Sequence, residues 1–395
     1  MGAARRYVIA ALGLTQIVSW GVLYYAFPVL ALLISNDTGW SVQRVNGAFT
    51  LGLVTAALAG IPAGRVLDRH GPWAVMSAGS ALAGLSTAAI ALSPSVAWFT
   101  GAWVAAGVAM AGVLYLPAFA AVTRWFSGEA RIRTLTALTL AGGLASTVFA
   151  PLTAALADRL DWRGTYLVLA AILAAVTVPV HLVALRRPWP PATQGAPAHG
   201  NSVASSRPFL LLAGAFTLSA FALYSVVISL VPLLTYRGAS LGVAAWALGL
   251  GGVGQVIGRL GYGRLARKIR AVPRTVGILA LGGATTAALG TLTGPTGLLV
   301  AVAMLAGAVR GITTLLQATA VTERWGTVGY GARSAVLAAP VTLAIAVAPW
   351  ASASLAQVFG GYPPLFGALA VVSLVGAALA VRTEPSHRSG PDATS

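Results

Sequence analysis

Charges divide this chain into membrane-length pieces. Residues 7–36 contain no Asp, Glu, Lys or Arg, and neither do 45–64, 70–123, 134–157, 164–185, 208–236, 238–258, 275–309 and 334–381. A helix crosses the hydrocarbon core of a bilayer with about 20 apolar residues, so each shorter interval is one crossing. The long intervals break at turn residues: 70–123 at Ser93-Pro94-Ser95, 275–309 at Gly294-Pro295, and 334–381 at Gly360-Gly361-Tyr362-Pro363-Pro364. The expected spans are 7–34, 43–66, 73–92, 97–123, 133–156, 164–185, 208–236, 243–264, 273–292, 297–322, 332–357 and 363–381, twelve in all. Long apolar runs without period-two alternation make them helices rather than barrel strands. The expected fold class is therefore an all-α membrane protein with twelve transmembrane helices.

Composition excludes the other classes. Only 8% of the 395 residues are charged, against about 25% in an ordinary soluble domain. That is too few to coat a soluble surface or keep a chain disordered. The net charge of +17 has an explanation that needs no nucleic acid. With the N-terminus inside, 19 of the 25 basic residues fall in inside loops or helix ends, four outside (Arg44, Arg159, Arg163, Arg237) and two within spans (Arg259, Arg310). This asymmetry puts both termini in the cytoplasm and lets the basic loops meet anionic lipid. The first apolar run is too long for a signal-peptide core. The absence of cysteine excludes disulfides, zinc–thiolate sites and thiol catalysis.

Residues 186–207 form the one long inside loop, Pro-rich and then Ser-rich, which reads as a flexible linker. The expected organisation is a six-helix bundle over 1–185, the cytoplasmic linker 186–207, a second bundle over 208–381 and a disordered tail over 382–395. The halves match in order at offsets of 198 to 201: Tyr24 with Tyr224, Gly64-Arg65 with Gly263-Arg264, Pro94 with Pro295, Val122-Thr123-Arg124-Trp125 with Val321-Thr322-Glu323-Arg324-Trp325, and Ala150-Pro151 with Ala348-Pro349. A duplicated six-helix unit is an architecture of transporters whose halves rock about a central site.

Gly64-Arg65-Val66-Leu67-Asp68-Arg69-His70-Gly71, between the second and third spans, resembles the signature loop of the major facilitator superfamily, Gly-x-x-x-Asp-Arg-x-Gly. With the twelve spans and the 6+6 repeat, the resemblance covers essentially the whole chain. It implies alternating access and a cavity lined by the first, fourth, seventh and tenth helices. The first span, Thr15-Gln16-Ile17-Val18-Ser19-Trp20-Gly21-Val22-Leu23-Tyr24-Tyr25-Ala26-Phe27-Pro28, is similar to the bacterial branch near the monocarboxylate and oxalate/formate carriers. Some arsenite-efflux carriers have a similar first helix. The chain also departs from the family pattern. Pro72-Trp73 replaces the terminal basic residues of the signature, and Arg267 stands where the first copy has Asp68. The helix-4 arginine and the helix-5 Gly-Pro-x-x-Gly-Gly element of drug/proton exporters are missing. The helix-8 basic residue of monocarboxylate carriers has its nearest counterpart in Arg259, which the sequence places low in its helix, close to the cytoplasm.

Arg310 lies at the middle of the tenth span. A lone arginine there costs about 2.5–3.5 kcal/mol even on an insertion scale, so it is expected to face a wet cavity or the bundle interior. Thr313, Thr314 and Gln317 follow on the same side. All eight acidic residues map to loops or helix ends, which leaves Arg310 without an intramembrane partner. The substrate anion is expected to supply the missing charge; the alternative is that Arg310 ties helices together through carbonyls and water. Gln16, Trp20, Tyr24, Tyr115 and Tyr224 fall on the cavity helices that the resemblance implies. With Arg310, Thr314 and Gln317 they are the expected substrate-binding residues, packing being the alternative for each aromatic. Gly64, Asp68, Arg69 and Gly71 are the expected gate. Asp68 would meet the N-terminal end of the eleventh helix, near Gly331–Arg333; the alternative is a loop that only caps helix ends. His181 stands alone, and no metal-ligand cluster, nucleophile–base pair or Walker sequence appears.

The chain is therefore expected to be no enzyme and to need no cofactor. It is expected to be a monomer in a bacterial inner membrane, moving a small organic anion of monocarboxylate type, with or without a co-transported proton. The alternatives are an exporter of drugs, metabolites or arsenite, and a non-transporting membrane sensor.

Overall fold

The structure is a computed structural model describing residues 2–189, 203–326 and 330–384, with side chains excluded at 2–5 and 330–332. Most of the expected linker, and the expected tail beyond residue 384, lie outside the described residues.

Among the described residues twelve helices are long and apolar enough to cross a membrane: α1 (Arg6–Thr38), α2 (Val42–His70), α3 (Pro72–Ala91), α4 (Val96–Trp125), α5 (Gly128–Ala157), α6 (Trp162–Ala184), α7 (Arg207–Tyr236), α8 (Leu241–Lys268), α9 (Ala271–Thr291), α10 (Thr296–Trp325), α11 (Arg333–Val358) and α12 (Tyr362–Ala380). Several run past the charge-free intervals at the end of the bundle that carries the linker. The second helix reaches His70 rather than 66, the eighth reaches Lys268 rather than 264, and the fifth starts at Gly128 rather than 133. Charge-free stretches measure the apolar layer, whereas the helical hydrogen-bond ladder continues into water.

The signature segment is corrected in the same way. Residues 64–70 are not a loop but the last turns of α2. The whole connection to α3 is Gly71, at φ +77°, a conformation that glycine adopts without a Cβ penalty. Pro72 follows as the first residue of α3, where its missing N–H costs nothing.

At the far end, repeated chemistry starts and stops the helices. Ser41 and Ser240, 199 residues apart, cap α2 and α8 by accepting from the backbone N–H of Arg44 and of Val243, each at 3.3 Å. Arg163 donates to the carbonyls of Ala91 and Ser93, both at 2.8 Å. Arg237 donates to those of Leu289 at 2.7 Å and Gly290 at 2.6 Å. Two of the four arginines expected outside therefore neutralise the C-terminal dipoles of α3 and α9.

Within each half, glycines bring backbones into contact. A Cβ on Gly52 of α2 would lie 2.7 Å from the Trp103 carbonyl oxygen of α4, and one on Gly107 would strike the Gly52 carbonyl. Gly251 of α8 and Gly307 of α10 repeat this at offsets of 199 and 200, a Cβ on Gly307 striking the Gly251 carbonyl. Gly254, Gly258 and Gly311 extend the α8–α10 seam, the small-residue packing that bilayers favour. Gly307→Val is expected to cost more than the ~1–3 kcal/mol of ordinary overpacking, because backbone cannot yield as a side chain does. Size-exclusion chromatography after detergent extraction should show loss of the monodisperse peak. Gly261→Val, where a Cβ meets nothing within 4 Å, should keep it.

The core has a different shape at the two ends. At the far end one continuous apolar cluster joins both halves, from Phe27, Phe49 and Trp103 to Val231, Leu248 and Phe366. At the linker end it splits. Val8, Leu12, Met76 and Val122 pack within the first half, while Phe209, Phe216, Ile278 and Leu316 pack within the second. Hydrogen bonds across the halves run from the far end to the middle of the bundle, where Arg259 donates to the Thr139 carbonyl. Gln43 donates to Gln357 at 2.5 Å, the Trp350 N–H to Thr50 at 3.1 Å, and Thr147 to the Gly249 carbonyl at 2.8 Å. The bundle is closed at the far end, and its two halves part towards the linker end.

Candidate functional site

The α8–α10 seam fixes the centre of the molecule. Gly311 lies against the Gln255 backbone, which puts the Gln255 side chain beside the preceding residue of α10, Arg310. Its Oε1 accepts from Arg310 Nη2 at 2.9 Å. Arg310 is only 5% exposed. Its guanidinium carbon lies 6.0 Å from the centre of the Tyr25 ring, within cation–π range. It therefore faces protein, with a glutamine as partner rather than helix-end carbonyls.

One turn further along α8 is Arg259, 7% exposed. The sequence places this residue near the cytoplasm because the charge-free interval stops at 258. The structure buries it instead, since α8 runs on to Lys268 and packs against α5, where Arg259 donates to the Thr139 carbonyl. A Cβ on Gly142 of α5 would strike the Tyr115 hydroxyl, and one on Gly143 would lie 3.2 Å from Arg259 Nη1, so Tyr115 and Arg259 pack against consecutive residues of α5.

The N-terminal half provides the aromatic wall. Trp20 lies 5.7 Å from Tyr24 and 5.1 Å from Tyr115, and Tyr24 lies 5.2 Å from Tyr25 and 6.4 Å from Tyr224 across the halves. The structure thus gathers Trp20, Tyr24, Tyr115, Tyr224 and Arg310 into one cluster. It adds Tyr25, Gln255 and Arg259. Residues 21–25 form a π turn inside α1, and the widened turn shifts the helical phase. That phase shift lets consecutive tyrosines both join the cluster, a feature that 3.6-residue periodicity misses.

Gln16 has a local task. Pro117 of α4 has no N–H to offer the Val113 carbonyl four residues earlier, and α4 breaks at Leu114. Gln16 Nε2 donates to that Val113 carbonyl at 2.8 Å, leaving its Oε1 buried without a partner. Thr314 donates to the Arg310 carbonyl at 3.0 Å. With Gln317 it continues the Arg310 face towards the linker end, where both side chains become accessible.

Among the described residues the salt bridges are Arg124–Asp68, Arg133–Glu129 and Arg274–Glu323, all at the linker end. Asp37 accepts from Trp162 Nε1 at 2.8 Å, and Asp161 caps α6. No carboxylate from the described residues pairs with Arg259 or Arg310. Their Nε–H groups, the Trp20 Nε1–H and the Tyr24 hydroxyl are buried without hydrogen-bond partners. Buried donors without acceptors are costly; these four lie at the site, while Trp103 Nε1 in the first half and Arg274 Nε and Arg324 Nε at the linker end share the condition.

A sequence profile of the Major Facilitator Superfamily matches residues 12–332 and, in a second match, 210–395. The chain belongs to the Major Facilitator Superfamily. Two solved structures of a bacterial homolog to the human lysosomal transporter Spinster share its fold: an inward-facing, occupied form at TM-score 0.72 and an inward-facing, unoccupied form at 0.71. Each is 17% identical, over 97% of this chain and 95% of the other. No curated protein matches the chain. As a superfamily member it is a multi-pass carrier of a small molecule, working by alternating access.

The superfamily signature has a distinct arrangement here. The Asp68 carboxylate bonds Arg124 at the end of α4 rather than meeting α11. Arg333, at the start of α11, donates to the Trp325 carbonyl at 3.2 Å. The side chains of Gly331 and Ala332 lie outside the described residues. The first linker residues also dock here. Trp189 donates to the Asp68 carbonyl at 3.1 Å, lies 4.4 Å from the Arg124 guanidinium and covers Gly71. Gly64 has open space around it, and Arg69 is exposed. At an offset of 199, Asp68 and Arg124 become Arg267 and Glu323, so the repeat inverts the pair's charge, and Glu323 bonds Arg274 instead.

Proposed function

We propose that this transporter carries a small organic anion of monocarboxylate type, held in the bundle centre by Arg310 and Arg259. The observation that carries the reading is that two buried guanidinium groups, Arg259 and Arg310, lie at the bundle centre with no carboxylate from the described residues paired to either. A carboxylate has acceptor lone pairs for several such donors and cancels the charge. The aromatics Trp20, Tyr24, Tyr115 and Tyr224 would pack on its apolar part, and Thr314 and Gln317 would line its approach.

The basic-residue asymmetry supports a cytoplasmic linker end, which makes the described conformation inward-facing in a bacterial inner membrane. Gly64, Asp68, Arg69 and Gly71 form the gate of this reading. Closing the linker end would bring Asp68 towards the N-terminus of α11, in exchange for its hold on Arg124. With every acidic residue at a loop or helix end, a proton would travel on the anion itself or not at all. The unit of transport is the monomer.

Proteoliposome uptake of labelled anions, beside neutral and cationic solutes of similar size, tests this. Anion flux should dominate. Equal or greater flux of neutral or cationic solutes would favour the exporter reading, and no flux of any class would rule out both.

A further inference from the structure

In the first half, α4 holds two neighbours through glycine. Gly52 and Gly107 bring α2 against it, and a Cβ on Gly112 of α4 would lie 3.3 Å from the Gly79 Cα of α3. Between α2 and α3, over α4, an open groove of about 500 Å³ remains. Pro62 and Val66 of α2, Ala74, Ala78 and Leu82 of α3 and Val108 of α4 line it, and every lining residue is apolar. Ile61, next to Pro62, and Leu85, one turn from Leu82, are exposed and apolar too, so the groove opens onto lipid rather than a water-filled path. From Ala74 to Leu82 it measures about 12 Å along α3 at 1.5 Å per residue. That is most of one leaflet, half of the ~30 Å hydrocarbon core.

The groove ends in basic charge. On α2, Pro62, Val66 and Arg69 fall at i, i+4 and i+7, with Arg65 at i+3, so the wall runs on into two arginines at the linker end. Both are exposed. Neither hydrogen-bonds or pairs with a carboxylate among the described residues, and the nearby Asp68 carboxylate is committed to Arg124. We propose that the groove binds one anionic phospholipid. An acyl chain lies between α2 and α3, and Arg65 and Arg69 hold the phosphate. The basic-residue asymmetry places this end in the cytoplasmic leaflet, where anionic lipid meets basic side chains. A neutral phospholipid would fill the groove but leave the two arginines without a net negative partner. Free phosphate would do the reverse. The inference is independent of what the carrier moves.

Native mass spectrometry of the full-length protein, delipidated in detergent and titrated with dioleoyl phosphatidylglycerol or dioleoyl phosphatidylcholine, tests this. The first phosphatidylglycerol should bind about thirtyfold more tightly than the first phosphatidylcholine, the combined pull of two surface arginines. Arg65→Gln with Arg69→Gln should erase that preference and leave phosphatidylcholine binding unchanged. Ala78→Leu, which fills the groove from the α3 side, should weaken both lipids alike, by about tenfold, and keep the preference. Two such different patterns cannot both arise from a folding defect. Dihexanoyl phosphatidylglycerol, with the same headgroup on short chains, should bind far more weakly than the dioleoyl lipid; equal affinity would overturn the acyl-chain site. Equal affinity for the two dioleoyl lipids, or a preference that survives loss of both arginines, would overturn the proposal in favour of ordinary annular lipid.

Discussion

Replacing Arg310 by glutamine should abolish anion uptake while leaving the protein folded. Truncating one partner of a buried charge pair typically costs about 2–5 kcal/mol, or roughly 30-fold to several thousandfold, and the loss should appear in kcat/KM for uptake. Stability should move the other way. In the carrier as described, Arg310 is 5% exposed, hydrogen-bonds Gln255 and lies over the Tyr25 ring, with no carboxylate from the described residues beside it. Removing a buried cation without a counter-ion is therefore neutral or stabilising. Thermal unfolding in detergent should give a Tm equal to or above that of the wild type. Arg310→Lys keeps the charge but loses the planar fork, and should fall between the two in uptake. A glutamine variant that transports normally removes Arg310 from the site. One that unfolds would make Arg310 a structural tie.

Cross-linking the closed end should stop transport completely. Gln43 of α2 and Gln357 of α11 meet across the halves at 2.5 Å, and the native chain has no cysteine. Gln43→Cys with Gln357→Cys therefore gives a uniquely reactive pair. The Gln43–Gln357 bond is made through two extended side chains, so a short bifunctional thiol reagent suits the gap better than a direct disulfide. Alternating access requires this end to open once per cycle. Cross-linked protein should have no uptake, while either single variant treated alike should work normally. A reagent with a reducible bridge should return activity on reduction. Wild-type turnover in fully cross-linked protein would mean that the far end never opens.

The sequence made the gross architecture legible because a bilayer imposes it. Long charge-free runs cannot be anything but spanning helices, and duplication left matched residues such as Tyr24 and Tyr224. Arg310 stood out because a mid-span charge is rare. The missed residues are those whose position depends on neighbouring helices. Arg259 and Gln255 reach the centre only because the glycine seam lets α8 and α10 touch, and a charge-free interval cannot reveal a tilt. Tyr25 enters through a π turn that no regular periodicity predicts. Gln16 has the polarity of a binding residue, yet its amide is committed to the kink that Pro117 opens in a different helix. The Asp68 contact with Arg124 could not be read from the motif, because Arg124 lies 56 residues away at the end of a different helix.

The most direct measurement compares uptake of one radiolabelled aliphatic carboxylate with uptake of its primary amide in proteoliposomes. The two have nearly the same shape and differ in charge. Charge-assisted hydrogen bonds are worth about 1.5–3 kcal/mol, so the wild type should prefer the carboxylate by roughly 10- to 150-fold, and Arg310→Gln should lose that preference. Equal uptake of acid and amide by the wild type would contradict an arginine-centred anion site.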